Sequence, residues 1–203
     1  MKSFKWMLAF LIGGMISSSA LVAEEGGAPQ MDPEMQKQME LTKMRMAPGE
    51  AHKALEAFVG KWNYTGKFWM KPGDAAQEMV GTAENTLIYG GRFLKQTFEG
   101  PWMGEHFEGL GFTGYDNVRE EYMTVWLDSM GTGMMTVTGQ YDAATKTLNQ
   151  SGKNSCPMSG EKDHFCRSEW TVTDADKNTY TSYALAPDGK EFKMMEINYT
   201  RVQ

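Results

Sequence analysis

Hydrophobic positions follow one spacing before Gly60 and a different spacing after it. Between residues 31 and 58 apolar side chains recur every three or four positions, which predicts two short helices. After Gly60 apolar and polar residues alternate in short runs, which predicts β-strands that bury one face. The predicted strands are 61–71, 79–89, 92–99, 105–115, 119–128, 132–141, 145–153, 163–173, 178–185 and 190–202.

The breaks between these runs are rich in Gly, Pro, Asn and Asp, the residues typical of tight turns, and no helical pattern intervenes. Ten strands joined in this way predict an antiparallel up-and-down meander. Such a sheet avoids exposed edges by closing on itself. The expected fold class is therefore all-β, a closed antiparallel barrel with short N-terminal helices.

The first and last strands contain a pair of residues suited to closing the barrel. Trp62 and Tyr64 share the apolar face of the first strand, and Ile197 and Tyr199 share a face of the last strand with Arg201. An arginine on an apolar face needs a partner. We expect its guanidinium to lie over the Trp62 indole when the two strands pair.

Several separated motifs occur in the order found in a known family. Gly60-Lys61-Trp62 behind a short helix, with Arg201 on the last strand, resembles the barrel-closing signature of lipocalins and calycins. Almost the whole chain after the leader resembles the DUF1579 family, which has no assigned activity. The resemblance implies a lipocalin-like barrel. It is carried by PGEAHKALEAFVGKW, GGRFLKQTF, FEGLGFTGYDN, WLDSMGTGMM and DGKEFKMMEINYTR.

The N-terminus has the pattern of a secretory signal peptide: two lysines, an apolar run, and small residues before an acidic pair. We expect cleavage after Ala23, with Ala20 as the alternative, and export to the periplasm or the medium. The apolar run is too short to span a membrane. The expected organisation is a signal peptide (1–23), a flexible leader with a methionine-rich helix (24–48) and the barrel domain (49–203).

Charge and cysteine content narrow the possible partners. The net charge is −6, and it becomes −8 once Lys2 and Lys5 leave with the signal peptide. An acidic chain is poorly suited to nucleic acid, since phosphate binding needs clustered cations. In an oxidising compartment Cys156 and Cys166 are expected to form a disulfide across a hairpin. A redox or metal pair is the alternative, although it lacks Cys-x-x-Cys spacing.

The stretch WLDSMGTGMM invites two readings, a catalytic or phosphate-binding site and a simple turn. A nucleophilic Ser129 would need a Gly-x-Ser-x-Gly elbow, and a phosphate loop would need a following helix. Neither is present. The pattern favours a turn at the barrel rim, with Asp128 or Ser129 bonding turn amides and Gly131 and Gly133 supplying positive φ or close approach.

The residues expected to line a ligand cavity are Gln96, Glu108 and Trp126, with Asp128 at the rim and His52 in the helical cap. This requires the faces that carry them to point inward. The alternative turns the fourth strand so that Phe107 and Tyr115 face in, and the fifth so that Met123, Val125 and Leu127 do. An inward Glu108 would need a partner or a function.

We therefore expect a non-enzymatic protein that binds a small, largely apolar ligand inside the barrel. One alternative is an enzyme that uses Glu108 or Asp128 for acid–base chemistry. A second is a haem or copper protein using His52 or His106, or the N-terminal methionines, and a third is a filled barrel with an apolar partner surface. Cofactor and oligomeric state are left open. The N-terminal methionines are Met31, Met35, Met39, Met44 and Met46.

Overall fold

The structure is a computed structural model, and it describes residues 31–203. The predicted signal peptide and residues 24–30 of the leader lie outside the described residues. Residues 41–203 form one compact unit. The described part of the preceding unit, residues 31–40, contains the first turns of a helix. Within residues 31–203, no helix has the length and apolar content needed to cross a membrane.

Two helices and a 3₁₀ turn precede the sheet. Helix α1 is Pro33–Met46, helix α2 is Glu50–Lys53, and a 3₁₀ helix follows at Ala54–Phe58. Asp32 caps α1, because its Oδ1 accepts the backbone N–H of Glu34 at 2.8 Å. None of the α1 side chains is buried. The second of the two predicted helices is α-helical only in its first turn and continues as a 3₁₀ helix.

All ten predicted strands are present, and they form a closed antiparallel barrel in which each pairs with its sequence neighbours and β1 pairs with β10. The predicted fold class is confirmed. The strands are β1 Gly60–Phe68, β2 Gln77–Ile88, β3 Phe93–Trp102, β4 Glu105–Asp116, β5 Glu121–Asp128, β6 Met135–Asp142, β7 Thr147–Asn154, β8 His164–Asp174, β9 Lys177–Leu185 and β10 Glu191–Arg201.

The seam between β1 and β10 is held by the predicted pair. Trp62 lies opposite Arg201 in the register, and the guanidinium carbon is 4.1 Å from the indole centroid. Arg201 also donates from Nη1 to the Val59 carbonyl at 2.8 Å and from Nε to the Ala175 carbonyl at 2.9 Å. Gly60 has φ +142°, and a Cβ there would overlap the Arg201 guanidinium. The position requires glycine for both reasons.

Helix α2 and the 3₁₀ helix, which together we call the helical segment (residues 50–58), close one end of the barrel. Leu55 and Phe58 are fully buried, and the ring centroids of Phe58 and Trp170 are 4.0 Å apart. The Phe58 carbonyl accepts two hydrogen bonds, from Trp62 Nε1 at 3.1 Å and from Asn85 Nδ2 at 2.9 Å. The last carbonyl of the 3₁₀ helix is thereby satisfied inside the protein. We call this end of the barrel the cap end.

The expected disulfide is absent, since Cys156 and Cys166 are both free thiols. The strand register gives the reason. Cys166 pairs with Gly152 on β7, so Cys156 lies four residues further along the hairpin. Cys156 lies in the turn beyond the end of β7, where its N–H bonds the Glu161 carbonyl, and so it does not lie opposite Cys166.

Replacing the seam arginine should destabilise the barrel. Arg201→Leu removes the contact with Trp62 and leaves the Val59 and Ala175 carbonyls without their donor. We expect the free energy of unfolding in urea to fall by about 2 kcal/mol. Arg119→Leu, which removes an exposed arginine paired with Asp116, is the control and should change it by less than about 0.5 kcal/mol. Equal losses in the two variants would contradict the role assigned to the seam.

Candidate functional site

The barrel has two different ends. The cap end carries the helical segment and the turns that follow β2, β4, β6 and β8. The opposite end, which we call the mouth, carries the loops at 69–76, 103–104, 129–134, 155–163 and 186–190. Because the strands alternate in direction, inward-facing residues at one height come from different parts of the sequence.

A layer of uncharged polar side chains crosses the interior about half-way between the two ends. We call this layer the polar belt. The hydroxyls of Thr113 and Thr124 are 2.8 Å apart, and Thr124 donates to Gln150 Oε1 at 2.9 Å. Thr113 also lies 3.4 Å from Gln96 Oε1. The members of the polar belt are Gln96, Thr113, Thr124, Gln150, Ser168 and Ser182.

The polar belt ends at a hydroxyl without a protein partner. Ser168 lies between Gln150 and Ser182 in the strand register, and its side chain is hydrogen-bonded to Tyr180. Ser182 is only 5% exposed, and among the described residues its Oγ has no hydrogen-bond partner. Leaving a buried hydroxyl unpaired costs about 1–3 kcal/mol. Within residues 31–203 it is the one fully buried side-chain atom of the polar belt that has no hydrogen-bond partner.

The interior between the polar belt and the cap is filled by large apolar side chains. Each lies two residues from a polar-belt residue on its own strand and points to the same side of the sheet. They pack in one cluster with Leu55 and Phe58 of the helical segment. A ligand cannot occupy this half without displacing the core. The strand members of the cluster are Leu94, Tyr122, Leu148 and Trp170.

The mouth half has one aromatic wall and one wall of small residues. Phe98 and Trp126 pack edge to face with centroids 5.3 Å apart. The indole of Trp126 lies over Gly111, where a Cβ would be 3.1 Å from the ring. The strands across the barrel place Gly152, Cys166 and Ala184 at this height. Trp126 and Cys166 are both half-buried, so solvent reaches this part of the interior.

Three of the predicted site residues come together here. Gln96 is buried and Trp126 is half-buried, and both side chains border Gly111, where a Cβ would be 3.2 Å from Gln96 Oε1 and 3.1 Å from the Trp126 ring. Trp126 Nε1 donates to Asp128 Oδ2 at 2.9 Å, which places Asp128 at the rim of the mouth. Gln96, Trp126 and Asp128 therefore share one side of the mouth half. Whether they bind a ligand remains a prediction.

The turn after β5 has the structure expected for the WLDSMGTGMM motif. Asp128 Oδ1 accepts the N–H of Met130 at 2.9 Å, and Ser129 Oγ accepts the N–H of Glu108 at 3.1 Å. Both side chains thus bond main-chain amides at the rim. Of the two expected roles for the glycines, positive φ is found at neither Gly131 nor Gly133. Gly133 instead allows close approach, since a Cβ there would be 3.2 Å from Ser155 Oγ.

Glu108 faces solvent rather than the interior. Its side chain is 67% exposed and lies 3.5 Å from His106 Nε2 on the outer surface. The expectation that it lines the cavity was wrong, and the alternative for the fourth strand, with Phe107 and Tyr115 inward, is correct. Gly109 and Gly111 separate those two residues on the inner face, which hides the apolar pattern of β4.

On the fifth strand, in contrast to the fourth, the face that was expected to point inward does so. Trp126 faces inward with Tyr122 and Thr124, so the alternative that buried Met123, Val125 and Leu127 was wrong. The register explains why: Trp126 lies opposite Gly111 and Asp128 opposite Gly109. The glycines of β4 leave the room that the large side chains of β5 fill.

His52 belongs to the cap and not to the mouth. It is 6% exposed, its Nδ1 accepts the N–H of Gly49 at 3.0 Å, and its ring also hydrogen-bonds the Tyr115 backbone. The pKa of His52 is lowered, chiefly because burial disfavours the charged ring. With both nitrogens engaged, the ring ties α2 to the end of β4. Residues 31–203 contain no group of three His, Cys, Asp or Glu side chains placed to hold a metal ion.

The two thiols differ in their surroundings. Burial raises the pKa of Cys166, whose sulfur receives a hydrogen bond from Asn154 Nδ2 at 3.2 Å. Burial also acts to raise the pKa of Cys156, but hydrogen bonds from Ser159 and the Met158 amide outweigh it, so the pKa is lowered. Cys156 is therefore the thiol that ionises more readily.

Two depressions mark the surface of the described chain. One, of about 510 Å³, lies beside the diverging ends of β2 and β3 and is lined by Gly81, Gly100 and His106 among others. The other, of about 310 Å³, lies near Trp69 and Phe192. Both are open to solvent, and no polar-belt residue lines either.

Comparison with known proteins identifies the family. A profile described as "Protein of unknown function (DUF1579)" matches residues 47–201, which include the helical cap and all ten strands. The chain belongs to the DUF1579 family. The resemblance seen in the sequence motifs is thus confirmed. Among curated proteins no match was found.

Solved structures share the fold of this DUF1579 protein. Rv2717c from M. tuberculosis aligns with a TM-score of 0.57 and 15% identity, over 77% of this chain and 100% of its own. The S-type phycobiliprotein lyase CPES from Guillardia theta aligns with a TM-score of 0.52 and 11% identity, over 77% and 99%. At these identities both likenesses concern the fold alone.

Sequence reasoning missed most of the polar belt of this DUF1579 barrel. Gln150, Ser168 and Ser182 were not among the predicted site residues, because each is the one polar-belt residue on its strand and belongs to no sequence motif. A signal does exist: on five strands a small or amide polar residue lies two positions toward the mouth from a large apolar one. The pairs are Leu94 and Gln96, Tyr122 and Thr124, Leu148 and Gln150, Trp170 and Ser168, and Tyr180 and Ser182.

Breaking the polar belt should destabilise the fold. Thr124→Val keeps the shape of the side chain but removes its hydrogen bonds with Thr113 and Gln150. We expect the free energy of unfolding to fall by about 1–2 kcal/mol, because the Gln150 amide oxygen loses its donor. Thr138→Val, on the outer face of β6, is the control and should have a smaller effect. No loss in Thr124→Val, or a loss no larger than that of the control, would contradict a stabilising role of these hydrogen bonds.

The stability of the barrel should depend on the protonation of His52. Because burial lowers its folded-state pKa, the unfolded chain binds the proton first as pH falls below about 6.5, and stability declines from there toward the folded pKa. His52→Asn keeps an acceptor for Gly49 and does not titrate in this range. We expect urea midpoints between pH 5 and 7 to vary less in His52→Asn than in the wild type. His106→Asn, an exposed control, should retain the wild-type slope; an unchanged slope in both would contradict the assignment.

Proposed function

We propose that this DUF1579 protein binds a small, largely apolar ligand in the mouth half of its barrel and has no enzymatic activity. One observation carries the proposal: above the uncharged polar belt, the interior is lined by apolar side chains that solvent still reaches. Met79, Phe107, Trp126 and Met195 pack there beside the buried core and are only half-buried. Apolar walls with a few polar groups are the usual construction of small-molecule sites.

The polar groups of the mouth are held in place before any ligand arrives. Trp126 is fixed by its bond to Asp128 and by its contact with Phe98, while Gln96 is held beside Gly111. A site with fixed walls loses little conformational entropy on binding. The filled cap half acts as the floor, so the ligand is limited to the depth between the polar belt and the rim.

The acid–base alternative has less support from the geometry. Its two carboxylates are on opposite sides of the barrel wall, with Glu108 outside beside His106 and Asp128 at the inner rim. Asp128 is further engaged by Trp126 and by the Met130 amide. We also propose that the protein is exported, on the basis of its N-terminal sequence alone.

The binding proposal is tested with Nile red, a neutral apolar dye whose emission rises in apolar surroundings. We expect saturable binding near one dye per chain, and about tenfold weaker binding by Trp126→Ala, because the aromatic wall is lost. Met123→Ala changes the outer face of the same strand and serves as the control. Far-ultraviolet circular dichroism would verify that both variants are folded, and Trp126→Phe provides a milder variant.

The outcomes separate clearly. Dye binding that weakens in Trp126→Ala and Trp126→Phe but not in Met123→Ala supports a site in the mouth. No saturable binding, or equal binding by all four proteins, would contradict it.

A further inference from the structure

The inner face of the mouth half lacks a positive charge. Along the strands of residues 60–201, lysine and arginine side chains lie on the outer face, apart from Arg201 at the cap end. Arg167, for example, stacks 3.9 Å from the ring centroid of Tyr183 and pairs with Glu191 outside the barrel. An anion placed in the mouth would therefore meet no compensating cation.

The surroundings of the polar belt favour neutral groups. Burial raises the pKa of Tyr180 to about 12, although Ser168 is hydrogen-bonded to its hydroxyl. Burial likewise raises the pKa of Tyr199 well above its ordinary value. The same loss of hydration would penalise a ligand carboxylate at this depth. At the rim, the carboxylate of Asp128 adds repulsion toward an approaching anion.

Ser182 supplies the group that a neutral ligand needs. Its hydroxyl is buried, faces the interior at the level of Ser168, and has no partner among residues 31–203. A hydroxyl both donates and accepts, so it pairs with an alcohol or a carbonyl. The side chains of Asn85 and Asn178 also hold an unpaired atom, but both lie toward the cap, bonded to Phe58 and Trp170.

We propose that the ligand is an uncharged amphiphile whose hydroxyl or carbonyl group hydrogen-bonds Ser182 at the polar belt while its apolar part extends toward the mouth. This inference rests on the proposed binding function. The loops around the mouth suit such an orientation, because their side chains are exposed, apolar and adaptable. The exposed methionines of these loops are Met70, Met103, Met130, Met134 and Met158.

Three probes of equal chain length test the head-group preference: decan-1-ol, decanoate and decylammonium at pH 8, each used to displace Nile red from the full chain. We expect decan-1-ol to bind at least about tenfold more tightly than decanoate. The decanoate carboxylate would lose its hydration on entering the mouth, and no cation there would replace it. Decylammonium should also bind more weakly than decan-1-ol, since the polar belt offers a charged head no counter-ion.

Ser182→Ala is the variant that addresses the proposed contact. It should weaken decan-1-ol binding about fivefold, the value of one hydrogen bond, and leave decanoate unchanged. Ser151→Ala, on the outer face of β7, is the matched control and should bind all three probes as the wild type does. Thermal unfolding of both variants would verify that they are folded.

Each result has one meaning. A preference for decan-1-ol that narrows in Ser182→Ala supports the inference. Displacement by decanoate at equal or lower concentration, or an unchanged preference in Ser182→Ala, would overturn the inference and leave the binding function standing. Failure of all three probes and of Nile red to bind would overturn the binding function as well.

Discussion

Closure of the sheet between β1 and β10 is the constraint on which the rest of the molecule depends. In a closed barrel each backbone edge is paired, and the side-chain alternation of each strand then has a single inside. Trp62 and Arg201 hold the register at the seam, and Gly60 leaves the space for the guanidinium. A slip of one residue there would exchange the inner and outer faces of the strand. The seam also joins the helical cap to the sheet, because Arg201 bonds the Val59 carbonyl.

Closure turns separate residues into layers across the interior. Next to the cap lies a dense apolar layer in which Phe58 meets Trp170. Above it the polar belt runs through Thr124 and Gln150, whose hydrogen bonds satisfy groups that would otherwise be costly to bury. The mouth half above the belt is apolar and reached by solvent. The floor of that half is polar but uncharged, and Ser182 is its unpaired group. The proposed ligand site is therefore placed in one half of the barrel.

Charge is distributed so that the two faces of the wall differ strongly. On the outside, Glu108 lies beside His106 and Arg167 pairs with Glu191. The inner wall of the mouth presents amides, hydroxyls, aromatic rings and a thiol, with Asp128 at its rim. Membership of the DUF1579 family brings no activity with it, and the structural likenesses concern the fold. The proposals of ligand binding and of a neutral ligand therefore rest on the chemistry of the interior.

The sequence by itself determined the strand count, the closed antiparallel architecture, the seam pair and the rim turn at Asp128, because period-two alternation and turn residues are local signals. Only the tertiary structure decided which faces of β4 and β5 point inward. Both faces of those strands are partly apolar, and the choice follows from Trp126 fitting over Gly111 across the pairing. The polar belt and the separation of Cys156 from Cys166 depend on register. Register is set by the pairing of two strands and the turn that joins them, which the alternation within one strand does not encode.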